Sequence, residues 1–139
     1  MFALNLVTPN KRLVMDAEID EVIVPGYMGQ LDILPGHAPL MTTLSTGLLK
    51  YRLKGSVTFE TVVVSWGYCQ VNPEGVVVLA ETAESLEEID RARAELALKS
   101  TQKELLEPIL EPDQIAKLQH KIARANARLE AVGISGTSH

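Results

Sequence analysis

Apolar and polar side chains alternate in short runs through the first 84 residues of the chain. In residues 49–54, apolar and cationic side chains alternate, which gives the two unlike faces of a half-buried strand. Turn-forming pairs such as Pro25-Gly26 and Pro35-Gly36 separate such runs. The pattern predicts strands at residues 2–7, 19–24, 49–54, 56–65, 67–71 and 75–81. Short strands at this spacing predict an antiparallel β-sandwich or barrel, of which we adopt the sandwich.

The residues after 84 have a different composition, with no glycine between Gly75 and Gly133. Alanine and charged residues are frequent there, which favours helix. Ser85 and Glu88 form a capping-box pattern, in which a serine hydroxyl and a glutamate satisfy free amides at a helix start. A first helix is therefore predicted from Leu86 to Leu106.

Two prolines interrupt the helical pattern, because Pro108 and Pro112 each remove a backbone donor and crowd the preceding turn. A second helix is predicted from Asp113 to Gly133. Its apolar positions recur every three or four residues, at Ile115, Leu118, Ile122, Ala125, Leu129 and Val132. Such a narrow seam suits packing against one other helix. The predicted fold is α+β and mainly β, with an antiparallel β-sandwich domain at residues 1–84 followed by a two-helix hairpin domain at residues 85–139.

Composition and charge exclude several classes of partner. The 139-residue chain has a net charge of −5 and only 4% aromatic residues, which argues against binding to nucleic acid. Its apolar runs are far shorter than the ~20 residues of a membrane-spanning helix, and its amino terminus lacks a signal-peptide pattern. Its single cysteine, Cys69, excludes an intramolecular disulfide and a Cys-rich metal site.

The residue pattern offers little support for catalysis. His37, His120 and His139 have no Cys or His neighbour at a metal-ligand spacing, and His37 is expected to be a turn or packing residue. Asp20 and Glu21 lie in a predicted strand, where alternation should point their carboxylates to opposite faces. The pattern therefore predicts a binding or regulatory protein without catalytic residues and without a metal.

Charged residues of the two predicted helices form a candidate anion site. In an antiparallel hairpin, Arg93 of the first helix would approach Arg124 and Arg128 of the second, with Asp90 nearby. Converging guanidinium groups bind phosphate or carboxylate through paired hydrogen bonds. The alternative is a solvated charged face with intrahelical ion pairs. Spacing alone leaves both interpretations open.

The segment from Gly29 to Leu40 reads GQLDILPGHAPL. It closely resembles the signature GELGILPGHAPL of the epsilon subunit of bacterial F-type ATP synthases. The segment from Ser65 to Tyr68 resembles a further motif of that family, and residues 4–9 also fit its pattern. The resemblance covers the whole chain, from sandwich to hairpin.

The resemblance implies a non-catalytic rotor subunit of the central stalk that requires no cofactor. The sandwich is expected to dock on the gamma subunit and the ring of c subunits. The residues implied in docking on the rotor are Gly29, Gln30, Leu31, Asp32 and His37. The hairpin, when extended into the alpha/beta catalytic hexamer, is expected to inhibit ATP hydrolysis. The complex is expected to couple proton transport to ATP synthesis. The chain is expected to lie peripherally on the cytoplasmic side of the bacterial cell membrane, which it contacts only through the complex.

In some members of the family, regulatory ATP binds the folded hairpin through an Ile/Leu-Asp-x-x-Arg-Ala motif and arginines of the second helix. The nucleotide contacts that the resemblance implies here are Ile89, Asp90, Arg93, Ala94, Arg124 and Arg128. Ser100 occupies the position of a further arginine in ATP-binding members, which is expected to weaken binding by about 1.5–3 kcal/mol. In the docking loop, Gln30 and Asp32 replace the usual Glu and Gly of the family.

Two alternatives belong to other classes of protein. A free-standing nucleotide-sensing module would use the same arginines and would be a monomer whose only partner is a nucleotide. An enzyme with a site centred on His37 has less support, because the sequence places no nucleophile or second base there.

Overall fold

The computed structural model describes residues 2–106 and 111–137, and the chain divides into two compact units, Met1–Ser85 and Leu86–His139. The strands of the first unit are β1 (Ala3–Val7), β2 (Arg12–Gly26), β3 (Gly29–Ile33), β4 (Leu40–Leu44), β5 (Gly47–Leu53), β6 (Glu60–Asn72) and β7 (Gly75–Ser85). The second unit contains a 3-10 turn at Leu86–Glu88 and the helices α1 (Arg91–Glu104) and α2 (Pro112–Thr137). The predicted fold class, a β-sandwich followed by a helical hairpin, is confirmed.

The strands pair in the order β1-β7-β6-β4-β2-β3, and β5 pairs with both β2 and β6. Because β1 also pairs with β2, the pairings β1-β7-β6-β5-β2 form a closed ring. Among the described strands, every pairing is antiparallel except that of β1 with β7, which is parallel. A closed ring leaves few free sheet edges and encloses a single core.

All seven strands contribute to one hydrophobic core. Its buried side chains are Phe2, Leu4, Leu6, Val14, Ile19, Val22, Val24, Ile33, Leu44, Leu49, Val62, Val64, Cys69, Val71, Val76, Val78, Ala80 and Ala83. Burial raises the pKa of the Cys69 thiol to about 11, so this cysteine is a core residue and not a reactive thiolate. Because this core lies wholly within the first unit, the sandwich has the attributes of an independently folding domain.

Two of the predicted strands are parts of one longer strand. Residues 56–65 and 67–71 were predicted to be separate, but β6 runs without a break from Glu60 to Asn72. Gly67 lies in its middle, and a Cβ at this position would overlap the carbonyl group of Leu79 on β7. The glycine therefore permits a close approach of two strands and does not end one.

Helix α1, predicted at Leu86–Leu106, spans Arg91–Glu104, and helix α2, predicted at Asp113–Gly133, spans Pro112–Thr137. Ser85 is the last residue of β7, where it pairs with Val62, and the 3-10 turn at Leu86–Glu88 separates it from α1. Asp90 is the actual N-cap of α1, and its Oδ1 accepts a hydrogen bond from the Arg93 amide at 3.1 Å. Helix α2 continues past Gly133, where the cost of an interior glycine is only about 1 kcal/mol. The predicted interruption at Pro108 lies outside the described residues.

Helices α1 and α2 pack against each other within the second unit. Their buried positions are mostly small: Ala94 and Thr101 in α1, and Leu118, Ala125, Ala127 and Ala131 in α2. Small side chains let two helices approach closely but remove little apolar area from water. At about 25 cal/mol per Å² of buried apolar surface, such a hairpin gains little stability from its own packing.

Candidate functional site

The segment predicted to be a docking loop is a strand with a tight turn before it. Strand β3 pairs antiparallel with the end of β2, and the register places Gly26 opposite Gly29. A Cβ on Gly26 would lie 2.7 Å from the carbonyl oxygen of Gly29, and Gly29 itself has a φ of 126°. Both positions therefore require glycine, which fixes a sharp hairpin with Tyr27 and Met28 at its tip.

Alternation along β3 separates its predicted docking residues into two sets. Gln30 and Asp32 are exposed, whereas Leu31 packs against the core and Ile33 is buried in it. Of the docking residues predicted in β3, Gly29, Gln30 and Asp32 are thus accessible to a partner. His37 lies in the following turn, where its amide donates to the Leu34 carbonyl at 3.0 Å and its Nδ1 donates to the Ala38 carbonyl at 2.8 Å.

A charged cluster joins β2, β3 and β5 beside this hairpin. The guanidinium of Arg52 lies 3.3 Å from an oxygen of Asp20 and 3.5 Å from an oxygen of Glu21. The prediction that these two carboxylates point to opposite faces is therefore wrong. The pairing of β2 with β5 has a register shift between Ile19 and Glu21, and such a bulge cancels the alternation locally.

Asp32 places a second carboxyl group beside Glu21. A side-chain hydrogen bond with Asp32 raises the pKa of Glu21 above its ordinary value of 4.5, burial and the charge of Asp32 add to the increase, and Arg52 opposes it. A glycine at position 32, which is usual in the family that the sequence resembles, would provide no such partner. The interaction therefore depends on an aspartate that departs from the signature GELGILPGHAPL.

A second candidate surface lies on the outer face of the sandwich. Met41 on β4, Tyr68 on β6 and Leu79 on β7 are each more than half exposed. The register places Tyr68 opposite Leu79, so side chains from separate strands form one apolar face. Tyr68 and Leu79 line two shallow depressions of about 240 Å³ and 400 Å³, and Met41 lines the smaller one. An exposed apolar surface of this kind is a candidate site for protein–protein contact.

Sequence reasoning missed this outer face, although a signal for it was present. The run from Val76 to Ala80 is apolar at every position, whereas a strand with one wet face should alternate. In the structure, Val76, Val78 and Ala80 are buried, and Leu79 is exposed. The continuous run therefore indicated a strand with a second apolar face.

The residues of the predicted nucleotide site lie in the hairpin unit. Ile89 is half-buried before α1, Asp90 caps that helix, and Arg93 is exposed in its first turn. Ala94 is buried, while Arg124 and Arg128 are half-buried on α2. The structure thus joins Asp90 to the Arg93 backbone and gives this carboxylate a structural role that needs no nucleotide.

Metal-ligand clusters and membrane-spanning helices are both absent from residues 2–106 and 111–137. No three His, Cys, Asp or Glu side chains in this part of the chain are arranged to hold a metal ion. In the same ranges, no helix is long and apolar enough to cross a membrane.

A β-sandwich with an exposed apolar face is typical of a domain that contacts other protein chains. Residues 1–86 match the family described as ATP synthase, Delta/Epsilon chain, beta-sandwich domain. The chain is 46% identical over 128 residues to the ATP synthase epsilon chain of Bdellovibrio bacteriovorus, which covers 92% of this chain and 91% of that relative. It is 41% identical over 133 residues to ATP synthase epsilon chain 2 of Syntrophotalea carbinolica, and the matched region covers 96% of this chain and 94% of that relative. The chain therefore belongs to the ATP synthase delta/epsilon chain family, and the resemblance identified from its sequence is confirmed.

Two solved structures share the fold. A chain of the Euglena gracilis mitochondrial ATP synthase, solved with OSCP, F1 and the c-ring, superposes with a TM-score of 0.77 at 21% identity and covers 96% of this chain and 80% of its own. A chain of the Tetrahymena thermophila mitochondrial ATP synthase central stalk and c-ring gives 0.65 at 14% identity and covers 94% and 95%. The fold is therefore retained at identities this low.

The Glu21–Asp32 interaction predicts a pH-dependent stability. In the unfolded chain the two carboxyls separate, so the pKa of Glu21 returns to its lower, ordinary value. Between the two pKa values the folded state binds more protons, and the free energy of unfolding falls as pH rises through this window. Replacement of Asp32 by Asn should therefore raise the melting temperature at pH 7. The gain should shrink as the pH falls through this window and be lost below about 4.5, the ordinary value for Glu21.

Melting curves of both chains from pH 3.5 to 8 provide the measurement. Glu18→Gln is the matched control, because Glu18 pairs with Lys54 at 3.1 Å and its neutralisation should lower the melting temperature or leave it unchanged. If Asp32→Asn raised the melting temperature equally at every pH, the result would contradict the unfavourable interaction between the ionised carboxyl groups of Glu21 and Asp32.

Proposed function

We propose that this chain is a central-stalk subunit of an F-type ATP synthase that docks through its sandwich and regulates through its hairpin. The outer apolar face binds the gamma subunit, and the β2–β3 hairpin binds the ring of c subunits. The chain has a structural and regulatory role, not a catalytic one, in a complex that couples proton transport to ATP synthesis. It lies peripherally on the cytoplasmic side of the cell membrane, which it reaches only through the complex.

The observation that carries this proposal is the outer face of β4, β6 and β7. Met41, Tyr68 and Leu79 are more than half exposed in the chain alone. Burial of these side chains against a partner would stabilise the complex. They project from paired strands of a closed sandwich, so docking would cost little backbone entropy. A rigid apolar face suits a permanent contact with another subunit.

Substitution of Leu79 by Glu should abolish most of the binding to gamma. The charge would have to be buried against an apolar partner, so we expect Kd to rise at least tenfold. Because Leu79 is exposed, the melting temperature of the isolated chain should change little. Titration of purified gamma with each chain measures the affinity.

Val57→Glu is the matched control for this titration, since Val57 is 92% exposed in the β5–β6 loop. It introduces the same charge at an apolar position of a different surface and should bind gamma as the parent chain does. Equal affinity of Leu79→Glu and the parent chain would contradict the assignment of this face.

The helical hairpin is suited to a regulatory role because its own packing is weak. Its buried positions are mostly alanines, while Leu96 and Leu106 of the α1 region are exposed. Elements with little internal stability can exchange one set of contacts for another. We assign to the hairpin the inhibition of ATP hydrolysis by insertion into the alpha/beta hexamer.

Truncation after Ser85, the last residue of β7, should relieve this inhibition. The truncated chain keeps every residue of the sandwich core, so it should fold and still bind gamma. ATP hydrolysis by the reconstituted catalytic core should be faster with the truncated chain than with the full chain. Equal hydrolysis rates, with gamma binding intact, would contradict an inhibitory hairpin.

A regulatory ATP site on the hairpin is a second proposal, supported by the placement of its motif. Asp90 caps the start of α1 and orders the backbone at Arg93, whose exposed guanidinium is a cationic partner for phosphate. ATP would regulate only by binding the folded hairpin more tightly than the extended one.

Replacement of Arg93 by Ala should remove most of the increase in melting temperature that ATP produces in the full chain, because a charged phosphate partner is lost. Arg91→Ala is the matched control, since Arg91 lies in the same helical turn and forms only an exposed ion pair with Glu95. Ser100→Arg should enlarge the increase. Calorimetry that detects no binding by either the parent chain or Ser100→Arg at millimolar ATP would contradict the site.

A further inference from the structure

The larger depression on the outer face of the sandwich contains two aromatic side chains and one carboxylate. Its lining includes Trp66 and Tyr68 of β6 and Leu79 and Glu81 of β7. The antiparallel register places Tyr68 opposite Leu79, and the same register puts Trp66 opposite Glu81. Residues two apart on a strand share a face, so all four side chains project from the same side of the sheet.

Glu81 is the only charged residue among the described residues that line the two depressions. It is exposed, and its side chain forms no ion pair or hydrogen bond with any other residue within 2–106 and 111–137. Its cross-strand and diagonal neighbours on this face are aromatic or aliphatic. A single carboxylate therefore stands inside an otherwise apolar surface.

A partner that covers the outer face would remove water from this carboxylate. Burial of an unpaired carboxylate is strongly unfavourable, whereas a carboxylate that is buried with a cation keeps a compensating attraction. The apolar side chains around Glu81 therefore favour binding only if the partner also supplies a positive charge at this position.

The aromatic rings indicate which cation fits. The faces of tryptophan and tyrosine rings attract a cation, and tryptophan does so most strongly. A guanidinium group is planar, stacks on aromatic faces and can donate two parallel hydrogen bonds to one carboxylate. A lysine ammonium is more strongly hydrated and cannot stack in this way. The combination of Trp66, Tyr68 and Glu81 therefore favours arginine.

We propose that this depression binds one arginine side chain of the gamma subunit, whose guanidinium stacks on the aromatic rings and pairs with Glu81. This inference rests on the proposed function, which assigns the outer face to gamma. The apolar side chains supply most of the buried area, and the arginine fixes the register of the partner on this face.

The charge of the site disfavours other occupants. Glu81 would repel a phosphate-bearing ligand or an anionic lipid surface. A symmetric dimer through this face would bring two copies of Glu81 to one apolar interface, and no described lining residue would supply a cation. A cationic side chain from a different protein satisfies both the charge and the aromatic rings.

The variant Glu81→Gln tests the site in the full chain, because glutamine preserves the size of the side chain and removes its charge. Its Kd for purified gamma should rise about tenfold at low salt, and the difference from the parent chain should shrink at about 0.5 M salt, which screens the ion pair. Its melting temperature should stay close to that of the parent chain, because Glu81 is exposed.

Glu74→Gln is the matched control for this titration. It neutralises an exposed carboxylate in the turn between β6 and β7, outside both depressions, and should bind gamma as the parent chain does.

Chemical modification of gamma identifies the cation. Phenylglyoxal modifies accessible arginines, and mass spectrometry locates the modified positions. With gamma saturated by each chain, one arginine should be protected by the parent chain and modified in the complex with Glu81→Gln.

Equal affinity of Glu81→Gln and the parent chain at low salt would overturn the arginine site and leave the proposed function standing. A complex in which the parent chain protects no arginine of gamma would overturn it as well. Self-association of the parent chain that Glu81→Gln abolishes would assign the site to a second copy of this chain instead. A parent chain that does not bind gamma would overturn the proposed function itself.

Discussion

Strand β2 hydrogen-bonds to four other strands, and the closed sandwich depends on this shared pairing. Its 15 residues pair in turn with β1, β5, β3 and β4, and register shifts in its pairings with β1 and β5 bend it across the molecule. At one bend Asp16 has a φ of 46°, and its amide donates to Asn5 Oδ1 at 2.9 Å. A straight strand could not pair with all four of these strands, so the bulges are required for a single closed core.

The same bending arranges the groups around the candidate docking hairpin. The bulge before Glu21 brings two successive carboxylates to Arg52, which also contacts Phe59 through its guanidinium and donates to the Ser56 carbonyl. Asp32 then adds a carboxyl group from β3 beside Glu21. One arginine thus links the hairpin to the β5–β6 loop, while the glycines of the turn hold the tip at a defined place.

The two units differ in what stabilises them. The sandwich encloses large aliphatic side chains from seven strands, whereas the hairpin buries mainly alanines. Because hydrophobic stabilisation scales with the apolar area buried, the sandwich gains more from its own contacts than the described part of the hairpin does. This asymmetry fits a subunit in which one part stays docked and the other changes its contacts. The Asp90 cap gives the hairpin a defined start without adding hydrophobic stability.

Local sequence patterns determined the strand-rich first half, the helical second half and the family. Alternation within a strand separates core-facing from solvent-facing side chains, and it identified Leu49 and Tyr51 as core-facing. The GHAPL segment identified the family. Only the tertiary structure placed Tyr68 opposite Leu79, brought Asp20 and Glu21 to one arginine, and placed the start of α1 after Asp90. Neighbours across strands depend on register and bulges, which are set by closure of the whole sheet and not by any short segment.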